Sequence, residues 1–134
     1  MKFMVNGALT IGTLDGANVE IEEEVGKDNI FIFGLKTKEI MDMRARGYNP
    51  MAYIEASPEL REIFALIKYN FLSPVDFGLF EPIVSNLMYN DYFFVCADFV
   101  SYCAAQEKIS AEYANRAIWT KRSIINVAKS GKFS

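Results

Sequence analysis

Histidine is absent from this chain of 134 residues, and its absence excludes more chemistry than any other feature of the composition. Without an imidazole there is no Ser-His-Asp triad, no Cys-His pair and no HExxH metal site. Any reaction must rest on Lys, Asp, Glu or Tyr, or on a cofactor. Cysteine is scarce as well. Cys96 and Cys103 are the only two. Their spacing suits neither CxxC redox chemistry nor a zinc site, and it reads as a pair of buried free thiols on one helical face in a cytoplasmic protein. No apolar run approaches the ~20 residues of a membrane-spanning helix. The start, with one lysine and early Asn and Gly, lacks the apolar core of a signal peptide. Neither sign of charge dominates: 14 basic residues face 17 acidic ones, for a net charge of −3. That balance gives no electrostatic case for nucleic acid.

What is present is enough for one domain over residues 1–134, since 51% of the residues are hydrophobic and 23% charged. The fold class expected is α/β, with a small parallel sheet and many helices. Leu9-Thr10-Ile11-Gly12-Thr13 reads as a buried strand. Asp15 or Asn18 is expected to cap a helix to about Val25, with Gly26 as its stop. Ile30-Phe31-Ile32-Phe33 is apolar throughout, as a strand covered on both faces is. The residues between suffice for a helical crossover, so about 9–34 forms a βαβ unit.

Residues 36–131 are expected to be helical. A helix over Lys36–Arg46, with Ile40, Met41 and Met43 inward, ends at Gly47-Tyr48-Asn49-Pro50. A short helical turn spans Met51–Glu55. Ser57-Pro58-Glu59 is a helix start, and Leu60, Ile63, Phe64 and Ile67 recur at the spacing of one buried stripe. Asn70–Gly78 reads as a loop. Phe80–Tyr89 is amphipathic through Ile83, Val84, Leu87 and Met88, and Pro82 is tolerated in its first turn. Tyr92–Cys96 fits strand or loop. Asp98 caps a helix to about Ala114, with Val100, Cys103, Ala104 and Ile109 inward. Asn115 opens a last helix through Ile118, Trp119, Ile124, Ile125 and Ala128, closed by Gly131.

Some patterns carry less than they suggest. Glu20, Glu22, Glu23, Glu24 and Asp28 read as a solvated helix face rather than a metal site, and no metal ligand is assigned. Gly12–Gly16 falls short of the GxGxxG fingerprint. Aromatics at helical spacing read as core.

One string is far more specific. Met1-Lys2, Asn6, Gly7–Thr13 and Asp15–Asn18 resemble the cofactor-lysine segment of the α-glucan (glycogen, starch, maltodextrin) phosphorylases, Met-Lys, two residues, Leu or Met, then Asn-Gly-Ala-Leu-Thr-Ile-Gly-Thr and Asp-Gly-Ala-Asn. Val5 replaces Leu or Met and stays apolar. The likeness continues through Phe31–Gly34, Gly47-Tyr48, Pro58-Glu59-Leu60, Ala97-Asp98, Tyr102 and Gln106-Glu107-Lys108. Ser130–Ser134 is similar to the start of a further family segment.

The resemblance implies a Rossmann-like C-terminal domain of the glycosyltransferase-B architecture. It implies reversible phosphorolysis of α-1,4-glucan by inorganic phosphate to glucose 1-phosphate, dependent on pyridoxal 5′-phosphate, with Lys2 as the Schiff-base lysine. The Gly-rich loop and phosphate clamps of the family fall outside the chain, as does the sugar-binding half. The chain is therefore expected to be a truncated piece of the domain, inactive alone, with no catalytic residue of its own assigned. The cofactor should be absent or weakly bound, and exposed apolar surface should drive self-association. The alternative is a stand-alone, non-enzymatic α/β interaction module that keeps the phosphorylase sequence as scaffold.

Overall fold

A computed structural model describes residues 2–133, so the resemblance carried by Met1 and Ser134 lies outside the described residues. The order of the larger elements is α1 (Lys2–Val5), β1 (Ile11–Thr13), α2 (Ala17–Val25), β2 (Phe31–Phe33), α3 (Thr37–Arg46), α4 (Pro50–Ala56), α5 (Pro58–Lys68), α6 (Glu81–Tyr89), α7 (Val95–Tyr113) and α8 (Arg116–Lys129). The protein is α/β: helices predominate and β1 pairs with β2 in parallel, Ile11 opposite Phe31 and Thr13 opposite Phe33. The two strands expected from their apolar runs are neighbours, each shorter than its run. Two compact units form, one from the residues up to Thr37 together with those from Ser101 on, the other from Lys38–Val100.

The first unit buries Met4, Ile21, Val25 and Ile30, with Ile32, Ile125 and Phe133 packed against them. Met4 belongs to α1, a helical turn directly after which the chain reverses at Gly7. Ile21 and Val25 lie four apart on α2, as an inward stripe requires. Neither Asp15 nor Asn18 caps α2. Gly16 holds the N-cap position without a side-chain bond, because Thr13 Oγ1 donates to Asp15 and Asn18 Nδ2 donates to the Thr13 carbonyl. Gly26 ends the helix as expected, with φ +84° and its N–H on the Glu22 carbonyl. On α8 the side chain most deeply buried is polar. Asn126 is 0% exposed, whereas Ile118 and Ile124 lie outside.

The second unit buries Ile54, Leu60, Phe64, Val84 and Cys96. Ser57 caps α5 as its sequence signature requires, accepting from Leu60 N at 3.1 Å, and Asn49 does the same for α4. The start of α7 differs from expectation. Asp98 sits inside the first turn, buried, and the capping carboxylate is Asp91. It accepts from Val95 N at 2.9 Å, Cys96 N at 2.8 Å and the Tyr48 hydroxyl at 2.6 Å. Backbone reversal at Asp91 (φ 35°) and Phe94 (φ 59°) brings that carboxylate under the helix end. An anion there is favoured by the unpaired N–H groups of the first turn.

Several sequence expectations for helix faces are corrected. α3 has no fully buried residue, and Met41 is exposed. Val100 and Ile83 also face solvent. Cys103 is half-buried rather than buried. Phe3, Tyr69, Phe71, Phe77, Tyr89, Tyr92, Phe93, Tyr102 and Tyr113 are exposed, so the reading of aromatics as core holds for only part of the set. Helical spacing marks which residues share a face. It does not mark whether anything covers that face.

Candidate functional site

The residue singled out by the sequence, Lys2, opens α1 and is exposed. Its turn is held by short-range bonds: Asn6 Nδ2 donates to the Lys2 carbonyl at 2.7 Å, and Asn6, Gly7 and Ala8 N–H groups return to Phe3 and Met4 carbonyls. Met4 anchors the turn from below in the core. One long-range bond fixes it further, from Ser123 Oγ on α8 to the Gly7 carbonyl at 2.7 Å. Gly7 has φ +84°, and a Cβ there would stand 2.6 Å from Ser123 Oγ. Glycine is therefore required twice over, for the left-handed backbone and for the close approach.

Gly12 is explained in the same way. A Cβ on it would lie 2.5 Å from Asn18 Nδ2, the atom that closes the turn onto Thr13. Thus Gly7 and Gly12 serve contacts made by this chain's own side chains. Next to the turn is a cavity of about 570 Å³, lined among others by Phe3, Met4, Leu9, Ile11, Asn18 and Ile21. Its walls are largely apolar, and Lys2 is not among its lining residues.

The structure brings Lys2 together with Asn6, Gly7 and, through Gly7, Ser123. The acidic residues of α2 converge on no site. Among the described residues no cluster of three possible metal ligands forms, and Glu24 instead pairs with Lys132 at 2.8 Å. That partner holds the Glu24 carboxyl below its ordinary value and raises the Lys132 ammonium. Ser123 and Asn126 escaped the sequence reading. Each is a small polar residue on a helix with no motif around it, and only the fold shows that Asn126 Nδ2 donates to the Asn29 and Arg122 carbonyls.

The second unit holds the strongest electrostatic perturbation. Burial, reinforced by the hydrogen bond to Asp91, pushes the Tyr48 hydroxyl well above its ordinary value. Burial and the same carboxylate push the Cys96 thiol up to about 12. Both groups are thereby held protonated, which suits a structural network rather than a nucleophile.

Among the described residues no helix is long and apolar enough to cross a membrane. The sequence model of the family described as carbohydrate phosphorylase matches residues 1–134. The muscle form of glycogen phosphorylase from Homo sapiens is 50% identical over 134 residues, and that from Oryctolagus cuniculus likewise. The brain form from Mus musculus is 48% identical over the same span. Each alignment covers all of this chain and 16% of the relative, so the chain spans about a sixth of their length. With the family model matching over residues 1–134, the chain belongs to the carbohydrate phosphorylases.

Proposed function

We propose that this chain supplies the cofactor-lysine segment of an α-glucan phosphorylase, the enzyme that cleaves α-1,4-glucan with inorganic phosphate to release glucose 1-phosphate. The observation that carries this reading is the family match over residues 1–134, which includes Lys2 and the part of its motif from Met1 to Asn18. In this reading residues 1–134 are part of a Rossmann-like C-terminal domain of the glycosyltransferase-B type, and the parallel β1–α2–β2 arrangement agrees with that placement.

Pyridoxal phosphate is the cofactor this reading requires, and the donor set fits it in part. Lys2 offers an exposed amine on a turn fixed by Asn6, Met4 and Ser123, which suits a covalent hold on an aldehyde. The phosphate of the group is the larger demand, because adjacent phosphates need several cations or aligned N–H donors. Residues 3–26 contain no Lys or Arg. When bound, the cofactor supplies acid–base chemistry through its phosphate. The role of Lys2 is to hold it, and that of the Gly7–Ser123 contact is to set the direction of the Lys2 turn. The chain by itself is inactive in this reading and binds the cofactor weakly. Its location is the cytoplasm, where Cys96 and Cys103 stay as free thiols. Its exposed apolar residues favour self-association.

The test is a chimera in which these 134 residues replace the matching segment of human muscle glycogen phosphorylase. We expect cofactor absorbance and phosphorolysis, both lost in Lys2→Ala. A folded chimera that binds no cofactor overturns the reading. For the isolated chain, borohydride trapping and peptide mapping should show no stoichiometric label confined to Lys2, and glycogen should yield no glucose 1-phosphate.

A further inference from the structure

We propose that the Asn70–Gly78 loop, with its flanks on α5 and α6, is a self-association surface that pairs with the same surface of a second copy of this chain. The proposal rests on the self-association reading above and goes beyond it by naming the surface and its symmetry.

The loop is built, not slack. Asn70 takes the left-handed conformation, φ 56°, and its Oδ1 accepts from Gly78 N at 3.1 Å, closing the two ends. Ser73 N donates back to the Asn70 carbonyl at 3.0 Å, and Glu81 N to the Gly78 carbonyl at 3.0 Å. With its backbone bonds turned inward, the loop turns its apolar side chains outward. Phe71 is 69% exposed, Val75 94% and Phe77 81%, and Tyr69, Leu72 and Leu79 are each more than half exposed. An ordinary surface loop has polar side chains at these places. Compact loops with pinned ends are frequently functional.

Area and charge choose the occupant. Taking about 150–250 Å² for a full aromatic side chain, the six residues offer on the order of 700 Å². That exceeds the roughly 300–600 Å² of the largest patch on a typical monomer and approaches the ~800 Å² that each partner contributes to a standard interface. Between Lys68 and Ile83 the charged residues are Lys68, Asp76 and Glu81. One cation against two carboxylates is the wrong balance for an anionic membrane, which attracts clusters of basic residues. It suits a two-fold contact, in which residue i meets j and j meets i. Lys68 of each copy then faces a carboxylate of the other. The closed loop also presents its anchors in place, which lowers the entropy cost of association.

The experiment is sedimentation equilibrium on the full chain over a concentration series. We expect a dimer whose Kd rises by about tenfold or more when Val75→Asp and Phe77→Asp are combined, since truncating central apolar anchors costs that much. Both positions face solvent, so helix content by circular dichroism should stay unchanged. Asn70→Gly keeps the left-handed backbone and deletes the closing acceptor, and we expect a smaller rise in Kd with the fold intact. A double variant that dimerises as tightly as the parent chain overturns the loop as the surface and leaves self-association standing. A parent chain that stays monomeric throughout overturns both. Phosphatidylserine vesicles that bind the parent chain, lose the double variant and dissolve the dimer would make the surface a membrane site and overturn the proposal as well.

Discussion

The two units each bury a polar side chain at their centre and treat it in opposite ways. In the unit of Lys38–Val100, Asp91 is 1% exposed, and its two oxygens take three donors, from Tyr48, Val95 and Cys96. In the other unit, Asn126 uses its amide N–H groups on Asn29 and Arg122, but its Oδ1 is buried and accepts no hydrogen bond from the described residues. A buried network with every member satisfied fixes one arrangement, whereas a half-satisfied one leaves desolvation uncompensated. The comparison makes the Asp91 network the rigid element and the Asn126 contact the softer one.

The largest effect should come from breaking the rigid element. Asp91→Ala strands three donors at the start of α7, and we expect a loss of about 3 kcal/mol, read from the denaturant midpoint. Asp91→Asn keeps one accepting oxygen and should cost less. A loss under about 1 kcal/mol for the alanine variant would show that the network is ornamental.

The softer unit can be probed at its hinge with α8. Gly7→Ala puts a Cβ 2.6 Å from Ser123 Oγ on a left-handed backbone, for an expected cost of about 2 kcal/mol. Ser123→Ala alone should cost about 1 kcal/mol, the value of its bond to Gly7. The double variant should cost less than the sum, because the second change removes the clashing atom. Strict additivity would mean that the clash relaxes by backbone movement instead.

A pH series sharpens the contrast without mutation. Cys96, raised to about 12, and Tyr48, also raised, are held in their protonated forms. The Cys96 contribution is full below the ordinary thiol value of 9.0 and is lost as pH climbs towards about 12, whereas that of Tyr48 is full below its ordinary value of 10.0 and fades only above it. Far-ultraviolet dichroism should show the helices of Lys38–Val100 failing in that window, and Cys96 should resist alkylation at neutral pH. The smallest effect belongs to Glu24→Gln. Its carboxyl is lowered by Lys132, so the pair acts above the ordinary carboxyl value and fades as pH falls below it. Both partners are at the surface, and the change should be close to the error of a thermal melt and vanish in salt.

The sequence legible to physics was the local part. Ser57-Pro58 and Asn115 carry helix-cap chemistry on their face, and both side chains do accept from the first turn. The apolar runs of β1 and β2 were readable as a parallel pair because their spacing leaves room for α2. Asp91 was not readable as a cap, since Asp98 bears the same signature and lies nearer the helical pattern. What decides between them is the left-handed backbone at Asp91 and Phe94, which neither residue type announces. At the candidate site, the family motif singled out Lys2 and the glycines, and of these Gly7 and Gly12 are explained by close contacts in the fold. Ser123 was not legible, because its role depends on a partner 116 residues away. The role of Lys2 as cofactor lysine remains a proposal to be tested in the chimera.

That 116-residue separation also governs the order in which the protein can be made. The contacts of Lys38–Val100 close within a continuous stretch, and a long side-chain tie in it, Arg44 to Tyr92, spans only 48 residues. This unit can close soon after Val100 leaves the ribosome. The other must wait for α8, because Ser123 ties to Gly7 and Asn126 to Asn29 across 116 and 97 residues. At about 5–20 residues per second, the apolar side chains of α1 and α2 wait roughly 5–20 s for their cover. During synthesis residues 2–37 are thus protected later than Lys38–Val100, although they are made first, and chaperones that hold nascent apolar segments should be found on them.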